Sequence, residues 1–243
     1  MKIAAISDVH VKTPYDDADH LLCHFLTNPI VTSSDYVLLL GDIFDLMCGP
    51  HKEYLEKFGH IFDLIDQLLI QGKKVFFFEG NHDVHLAKLF KLRWPNDELK
   101  LSQFPLVETI DAKTYYFSHG DEHEVENLSY QRYKSFIISP PLKFVANYMM
   151  PYGVLNYFGE SASRKSKKRG SKSYNEDLVK QSFREGVTKK TSGKYNFILG
   201  GHSHVKDIFP INENSTYINN GYALKSKTFL FIDNHQISFP DLA

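Results

Sequence analysis

One segment of the chain, Lys74-Val75-Phe76-Phe77-Phe78-Glu79-Gly80-Asn81-His82-Asp83, joins an apolar run to a short polar block. The apolar run, Lys74 to Phe78, predicts a strand buried on both faces, as in the interior of a parallel sheet. The polar block offers an amide oxygen, an imidazole and a carboxylate, which are ligands for hard or borderline metal ions. The segment therefore predicts metal chemistry at the end of a buried strand.

The same arrangement recurs along the chain, because four further polar blocks follow apolar runs or lie close to them. They are Asp8-Val9-His10, Gly41-Asp42-Ile43-Phe44-Asp45, Ser118-His119-Gly120 and Gly200-Gly201-His202-Ser203-His204. Each block alone has an ordinary explanation: a polar strand end, a turn, surface histidines or, for Asp45, a helix cap. Their occurrence together, in series, predicts that the strand ends converge on a two-metal site that hydrolyses phosphoesters.

The residue types suit that chemistry. A phosphodiester is negatively charged and repels hydroxide, whereas two divalent cations neutralise the charge, acidify a water and orient it. Cations about 3.5–4 Å apart repel each other, so a shared carboxylate should lie between them, and Asp42 is the best candidate. The donors include four histidines and no thiolate, which favours two Mn, Fe, Zn or Mg ions over a soft metal and argues against a site for Mg alone.

Composition limits the class of protein. The 243 residues are 42% hydrophobic, enough for one large α/β domain spanning residues 1–243. The net charge of -1 gives no overall bias toward nucleic acid. Two cysteines, Cys23 and Cys48, form no CxxC motif, so reduced thiols in a cytoplasmic protein fit better than a disulfide framework. No run approaches the roughly 20 apolar residues of a spanning helix, so any membrane contact should be peripheral.

The order of predicted elements indicates an α/β fold. Apolar runs at 2–6, 36–40 and 74–78 predict strands, and they alternate with helical patterns at 19–26 and 54–69. This rhythm favours parallel βαβ units. Shorter strands are predicted between 106 and 117, and a strand-rich end at 195–239. Residues 121–190 break the rhythm and are predicted to form a mostly helical insertion.

In combination the five blocks resemble the calcineurin-like metallophosphoesterases, whose pattern is D-x-H, G-D-x-x-D, G-N-H-[DE], a later H, and G-H-x-H. The resemblance covers residues 8–204. It implies a two-sheet sandwich flanked by helices, with the metals on loops at one sheet edge. It also implies that one metal is held by Asp8, His10, Asp42 and His204, and the other by Asp42, Asn81, His119 and His202. His82 would then face the phosphoryl group as charge stabiliser or acid, with Asp83 orienting its ring.

Within that family, the chain is most similar to the UDP-2,3-diacylglucosamine pyrophosphatases of lipid A biosynthesis. The similarity lies in the spacing from His119-Gly120-Asp121 to Tyr130-Gln131, in the long insertion, and in the stretch from Ser166 to Lys172. It implies that the chain cleaves the diphosphate of UDP-2,3-diacylglucosamine to lipid X and UMP, with manganese ions as the cofactor. It implies substrate contacts by Asn81, His82, Asn127, Ser166, Lys168, Lys172 and His202. The sequence differs from that branch at two positions. Many members have arginine where this chain has His82, and the branch has an aspartate where this chain has Asn127.

The insertion has two interpretations. Residues 133–158 are unusually aromatic and apolar, interrupted by Pro140-Pro141 and Pro151. They form either a helical hairpin that packs on the core or a lid that holds acyl chains and touches lipid. The cations between 164 and 172 would grip a diphosphate or attract anionic headgroups. We therefore expect a nucleotide-linked lipid substrate, peripheral contact with the inner face of the cytoplasmic membrane, no nucleic acid partner and no obligate protein partner.

Two alternatives stay open at this level. The chain could act on another small phosphodiester or phosphomonoester. It could also be a metal-free scaffold that kept the fold and lost the chemistry, although none of the predicted ligands is missing from the sequence.

Overall fold

Two β-sheets organise the structure, which is a computed structural model and describes residues 1–155, 157 and 175–242. The strands are β1 (Lys2–Ile6), β2 (Tyr36–Leu39), β3 (Met47–Cys48), β4 (Lys74–Phe78), β5 (Asp83–Val84), β6 (Lys100–Ser102), β7 (Leu106–Ile110), β8 (Lys113–Phe117), β9 (Phe197–Gly200), β10 (Asp207–Asn212), β11 (Ser215–Asn219), β12 (Leu230–Asp233) and β13 (Gln236–Ser238). The α-helices are α1 (Asp17–Thr27), α2 (Pro29–Thr32), α3 (Lys52–Lys57), α4 (Gly59–Ile70), α5 (Ala87–Arg93), α6 (Leu128–Ile137), α7 (Pro140–Tyr148), α8 (Glu176–Thr191) and α9 (Ala223–Ser226).

The strand orders place the polar blocks at related edges. The larger sheet runs β13-β12-β1-β2-β4-β6, and its neighbours β1, β2, β4 and β6 are parallel. The second sheet runs β10-β11-β9-β8-β7, with β8, β9 and β11 parallel. Carboxyl ends of parallel strands meet at one edge of a sheet, so the loops after β1, β2 and β4 are neighbours, as are those after β8 and β9.

Side chains alternate between the two faces of the strands and so form two hydrophobic cores. In β2, Leu38 faces the second sheet and packs in a cluster with Phe117 and Leu199. Its neighbours Val37 and Leu39 belong to the opposite cluster, against the helices. Successive side chains of a strand point to opposite faces, so a strand that is apolar at every position is buried on both. The predicted sandwich of two sheets flanked by helices is confirmed.

The element boundaries correct the sequence analysis in several places. The helix predicted over 54–69 is two helices, α3 and α4, separated at Phe58, whose backbone leaves the helical region at φ −113° and ψ 25°. Several elements were missed, among them α5 and β6. Their placement depends on tertiary contacts: Arg93 and Trp94, at the end of α5, both donate hydrogen bonds to Asp66 of α4. The spacing of apolar residues within one segment does not indicate which distant residues that segment will contact.

The described part of the insertion contains a short 3₁₀ helix (Asp121–His123), α6, α7 and α8. It is attached beside the polar blocks. Ala146 of α7 packs with Cys48 of β3 and Val84 of β5, and His85 Nε2 lies 2.8 Å from the carbonyl oxygen of Ile137. Strand β3 follows the block that contains Asp42, and β5 begins with Asp83, the last residue of the next block, so α7 is held next to both blocks. Among the described residues, every helix is too short or too polar to cross a lipid bilayer.

Candidate metal centre

The five polar blocks meet at one place, between the edges of the two sheets. The block after β1 is tied to the block after β2 by backbone hydrogen bonds, from Asp8 N to Gly41 O at 3.1 Å and from His10 N to Asp42 O at 3.0 Å. The block after β9 joins through its own backbone, because His202 N donates to Asp8 Oδ2 at 2.9 Å. These hydrogen bonds hold the loops in register with one another.

The backbone of this centre is unusual, because side chains with metal donors sit in the left-handed region. The φ angles are 52° at Asp8, 57° at His10, 52° at Asp42, 65° at His202 and 59° at His204. Such a conformation costs on the order of 1–3 kcal/mol for a residue other than glycine and is common at functional sites. It turns each loop sharply enough to aim its side chain back across the strand end.

The first group of donors is Asp8, His10, Asp42 and His204, and one ligand atom of each lies within 4.8 Å of the others. His204 Nε2 is 3.3 Å from Asp8 Oδ1 and 3.3 Å from His10 Nε2. His10 Nε2 is 4.0 Å from Asp42 Oδ2. Burial lowers the pKa of His10 to about 4, so its imidazole is neutral at neutral pH and has a lone pair for a metal.

The second group is Asp42, His119 and His202, again with donor atoms within 4.8 Å of one another. His119 Nε2 is 3.8 Å from Asp42 Oδ2. Asn81 lies at the same place, because its backbone N–H donates to Asp42 Oδ1 at 2.8 Å. Its side-chain oxygen accepts a hydrogen bond at 3.4 Å from the hydroxyl of Tyr130, whose ring centroid is 4.8 Å from that of His202. Asp42 belongs to both groups, which is the position expected of a bridging carboxylate.

The donors fit divalent cations on two further grounds. His119 Nδ1 lies 2.9 Å from the carbonyl oxygen of Leu40, so it carries the proton and leaves Nε2 as an acceptor. That buried Nε2 has no hydrogen-bond partner within the described part of the chain, as expected of a metal ligand. Burial alone would raise the pKa of Asp42, but the neighbouring His119, His82 and His10 outweigh burial and hold it below its usual range. Asp42 is therefore a carboxylate, ready to bind cations.

His82 lies at the open side of the centre. Its ring is 4.8 Å from that of His10, and 40% of its side chain is exposed. Its Nδ1 lies 2.8 Å from the backbone oxygen of Asp45, and the Asp45 carboxylate is 4.0 Å away. Nε2 is thus the ring nitrogen left for a substrate.

The expectation that Asp83 orients His82 is wrong. The Asp83 carboxylate is fully buried and accepts hydrogen bonds from the backbone amides of Asp42 at 3.0 Å, Ile43 at 2.7 Å and Gly80 at 2.7 Å. Neighbours in sequence point to different sides of an extended chain, so the two side chains separate. Asp45, for which the sequence analysis gave a helix cap as the ordinary explanation, takes the place beside His82.

Asp83 and Asp42 each accept hydrogen bonds from the backbone of the loop that carries the other. While Asp83 binds the amides around Asp42, Asp42 Oδ1 accepts from Asn81 N at 2.8 Å and His82 N at 2.9 Å. Each acidic side chain therefore fixes the backbone that carries the other. The arrangement leaves Asp42 Oδ2 to face the histidines.

Two acidic residues of the insertion were missed by sequence reasoning. Glu124 Oε2 lies 2.9 Å from His202 Nε2. Burial alone would lower the pKa of His202, but this hydrogen bond and the charges of nearby carboxylates together outweigh burial and raise it. Asp121 accepts from the Tyr130 hydroxyl at 2.9 Å and forms an ion pair with Lys134. Asp121 begins the short 3₁₀ helix and Glu124 follows its end, and the sequence analysis assigned neither carboxylate a role at the centre.

The predicted substrate contacts divide into three sets. Asn81, His82 and His202 lie at the centre itself. Asn127 is the N-cap of α6, where its side chain accepts from Tyr130 N at 3.0 Å and donates to Glu124 at 2.8 Å. Ser166, Lys168 and Lys172 lie outside the described residues.

A cavity of about 290 Å³ adjoins the centre under α6, with His119 and Tyr130 in its wall. Glu79, Gln103 and Ser118 also line the cavity, and each has a buried polar atom without a hydrogen-bond partner in the described ranges. A molecule that enters this cavity would meet both donors and acceptors.

Comparison with known families agrees with this geometry. The sequence model described as calcineurin-like phosphoesterase matches residues 1–206. The chain belongs to this family. It is accordingly a metal-dependent hydrolase of phosphoric esters, and the family implies divalent metal ions.

Relatives with assigned activities share one name. A UDP-2,3-diacylglucosamine hydrolase of Shewanella piezotolerans is 22% identical over 246 residues, which cover 100% of this chain and 98% of the relative. The enzyme of the same name from Shewanella loihica is 24% identical over 84% of this chain and 81% of its own length. One from Neisseria meningitidis is 29% identical, but over 54% of this chain and 53% of its own.

Solved structures support the fold. An archaeal phosphodiesterase superposes with a TM-score of 0.50 at 13% identity, covering 99% of both chains. A Thermus thermophilus protein reaches a TM-score of 0.52 at 10% identity, covering 100% of this chain and 99% of its own. At these identities the likeness concerns architecture alone.

Proposed function

We propose that this phosphoesterase hydrolyses the diphosphate of UDP-2,3-diacylglucosamine, releasing lipid X and UMP, with two manganese ions as cofactor. The observation that carries the proposal is the convergence of Asp8, His10, Asp42, Asn81, His119, His202 and His204 on one centre that an apolar insertion adjoins. The names of the full-length relatives support the same substrate.

The roles of the side chains follow from their positions. When bound, the two cations supply positive charge for the phosphate oxygens and lower the pKa of water. Asp42, shared by both donor groups, holds the centre together. His82 presents Nε2 at the open side; in its cationic form this nitrogen donates a proton to the leaving oxygen or stabilises its charge. The backbone oxygen of Asp45 keeps the ring in that orientation.

The insertion supplies the lipid-binding part of the proposal. Phe136 of α6 and Phe144 and Tyr148 of α7 are exposed, and α7 is docked onto strands that follow the metal blocks. An exposed aromatic surface of this kind marks a binding site for an apolar ligand or a lipid surface. We infer that it acts as a lid for the acyl chains and contacts anionic lipid at the cytoplasmic face of the membrane.

A direct assay tests the reaction. Chelator-treated protein is incubated with UDP-2,3-diacylglucosamine in mixed micelles, with and without Mn²⁺, and UMP is quantified. We expect Mn²⁺-dependent release of UMP that Asp42→Ala abolishes together with metal binding. Hydrolysis of a bis-aryl phosphodiester without release of UMP would instead favour a small phosphodiester as substrate. Absence of both activities and of bound metal would favour the metal-free scaffold.

A matched pair of variants tests the lid. Phe144 is 56% exposed on α7, whereas Ile70 is 85% exposed at the end of α4, outside the insertion. Phe144→Ser should raise KM for the lipid substrate and weaken co-sedimentation with phosphatidylglycerol vesicles, while Ile70→Ser should do neither. Both variants should hydrolyse the bis-aryl ester normally. Equal behaviour of the two variants on lipid would refute the assignment of the insertion as a lid.

A further inference from the structure

Outside the catalytic centre, the packing of α1 against α4 brings together three side chains able to bind a metal. Asp19 and Cys23 are four residues apart on α1, so they lie on the same face of that helix. His60 is the second residue of α4. The sequence alone gave no reason to associate Cys23 with His60, because they lie on different helices.

The distances suit one tetrahedral ion. His60 Nε2 is 2.7 Å from Asp19 Oδ1, Cys23 Sγ is 4.0 Å from Asp19 Oδ2, and donor atoms of all three lie within 4.8 Å of one another. Zinc bonds of about 2.0–2.3 Å place tetrahedral ligand atoms about 3.3–3.8 Å apart. Small side-chain adjustments would therefore bring the three atoms to zinc-binding separations.

From this geometry we propose that Asp19, Cys23 and His60 form a mononuclear site for a thiophilic divalent cation of the zinc class. The site shares no residue with the dinuclear centre. Its thiolate selects for zinc or cobalt, whereas the oxygen and imidazole donors around Asp42 accept manganese.

The surroundings of the three residues favour a built site over an accidental ion pair. Asp19 is 1% exposed, so its charge needs a partner, and the ring of Tyr15 stacks on His60 at 5.1 Å and fixes its orientation. Cys23 and His60 keep part of their surface exposed, which leaves a path for the ion and room for water as a fourth ligand. Burial, and then the charge of Asp19, raise the pKa of the Cys23 thiol to about 11, so binding of the ion releases the thiol proton.

Cobalt distinguishes this site from the catalytic one. A sulfur-to-cobalt charge-transfer band in the near ultraviolet requires a thiolate ligand, and the donors of the dinuclear centre include no cysteine. In metal-free full-length protein titrated with Co²⁺, the band should appear, and its amplitude at saturation should correspond to one thiolate-bound ion per chain. Cys23→Ser should abolish it, and Cys48→Ser, which removes the other thiol, should leave it unchanged.

Two further measurements complete the test. His60→Ala should weaken Zn²⁺ binding at this site by at least tenfold, judged by competition with Co²⁺. In the Cys48→Ser variant, Zn²⁺ should slow the reaction of the single remaining thiol with a disulfide reagent. Cys23→Ser should hydrolyse the bis-aryl ester at the wild-type rate, which separates this site from the proposed catalytic function. Absence of the band in the wild type, or its persistence in Cys23→Ser, would overturn the proposal.

Discussion

Gly80 offers the most direct test of how this centre is built. A Cβ atom at Gly80 would lie 2.1 Å from Asp42 Oδ1 and 2.5 Å from Asp42 N. The substitution Gly80→Ala therefore drives a methyl group into the carboxylate proposed to bridge the two metals. The side chain of Asp42 cannot rotate away freely, because the amides of Asn81 and His82 bind its Oδ1.

The size of the effect follows from these distances. An ordinary contact begins at 3.4 Å, so Asp42 Oδ1 and the new methyl group must separate by 1.3 Å beyond the built position. Metal sites tolerate about 0.2 Å in ligand distance, and a misplacement of about 1 Å costs on the order of 10²-fold in rate. Overpacking should also remove about 1–3 kcal/mol of stability. We expect kcat/KM to fall at least 10²-fold, with a loss of bound metal.

The control is Gly59→Ala. Gly59 begins α4, and a Cβ atom there meets nothing within 4 Å. This variant should keep full activity and metal content, and its helix propensity should make it equally or slightly more stable. The measurements are kcat/KM on the bis-aryl ester, metal content by elemental analysis, and urea unfolding. If Gly80→Ala stays within threefold of the wild type in kcat/KM, the close packing of Gly80 on Asp42 is not what positions that carboxylate.

Three further predictions concern the same centre. His82→Ala should slow turnover by roughly 10²–10⁴ with metal content unchanged, and normal turnover would remove His82 from the reaction. Asp83→Ala leaves the buried amides of Asp42, Ile43 and Gly80 without their acceptor, and each unsatisfied amide costs about 1–3 kcal/mol of stability. The urea midpoint of unfolding should therefore fall sharply, and an unshifted midpoint would contradict the role of Asp83 in holding the loops. Mn²⁺ at about one hundred times its Kd should stabilise chelator-treated protein by about 2.7 kcal/mol for each ion bound, and a melting temperature insensitive to Mn²⁺ would contradict metal binding by the folded chain.

The sequence was sufficient for the parts of the molecule that short segments determine. Lys74 to Phe78 and Tyr36 to Leu39 are apolar at nearly every position, and such runs form interior strands whatever surrounds them. The blocks that follow them hold metal-binding residue types at short spacing. Their convergence could be expected because parallel strands end at a common edge.

The sequence was insufficient where a role depends on distant partners. Nothing near Glu124 indicates that it meets His202, which lies 78 positions away. Adjacency was misleading for Asp83, because the next side chain along an extended segment points elsewhere. The break at Phe58 was hidden because apolar spacing continues through both α3 and α4.

The pairing of Asp42 with Asp83 explains why this centre suits cations. Burial, and then the charge of Asp42, raise the pKa of Asp83 well above its usual range. A carboxyl whose pKa is raised on folding holds its proton more tightly in the folded chain. Its contribution to stability therefore declines as pH rises from about 3.9, the unfolded value, through the folded one. Cations on Asp42 would offset the repulsion between the two carboxylates, which would lower the pKa of Asp83 and strengthen the hydrogen bonds that it accepts from the loop amides. Metal binding at Asp42 and the hydrogen bonds from the loop amides to Asp83 should therefore reinforce each other.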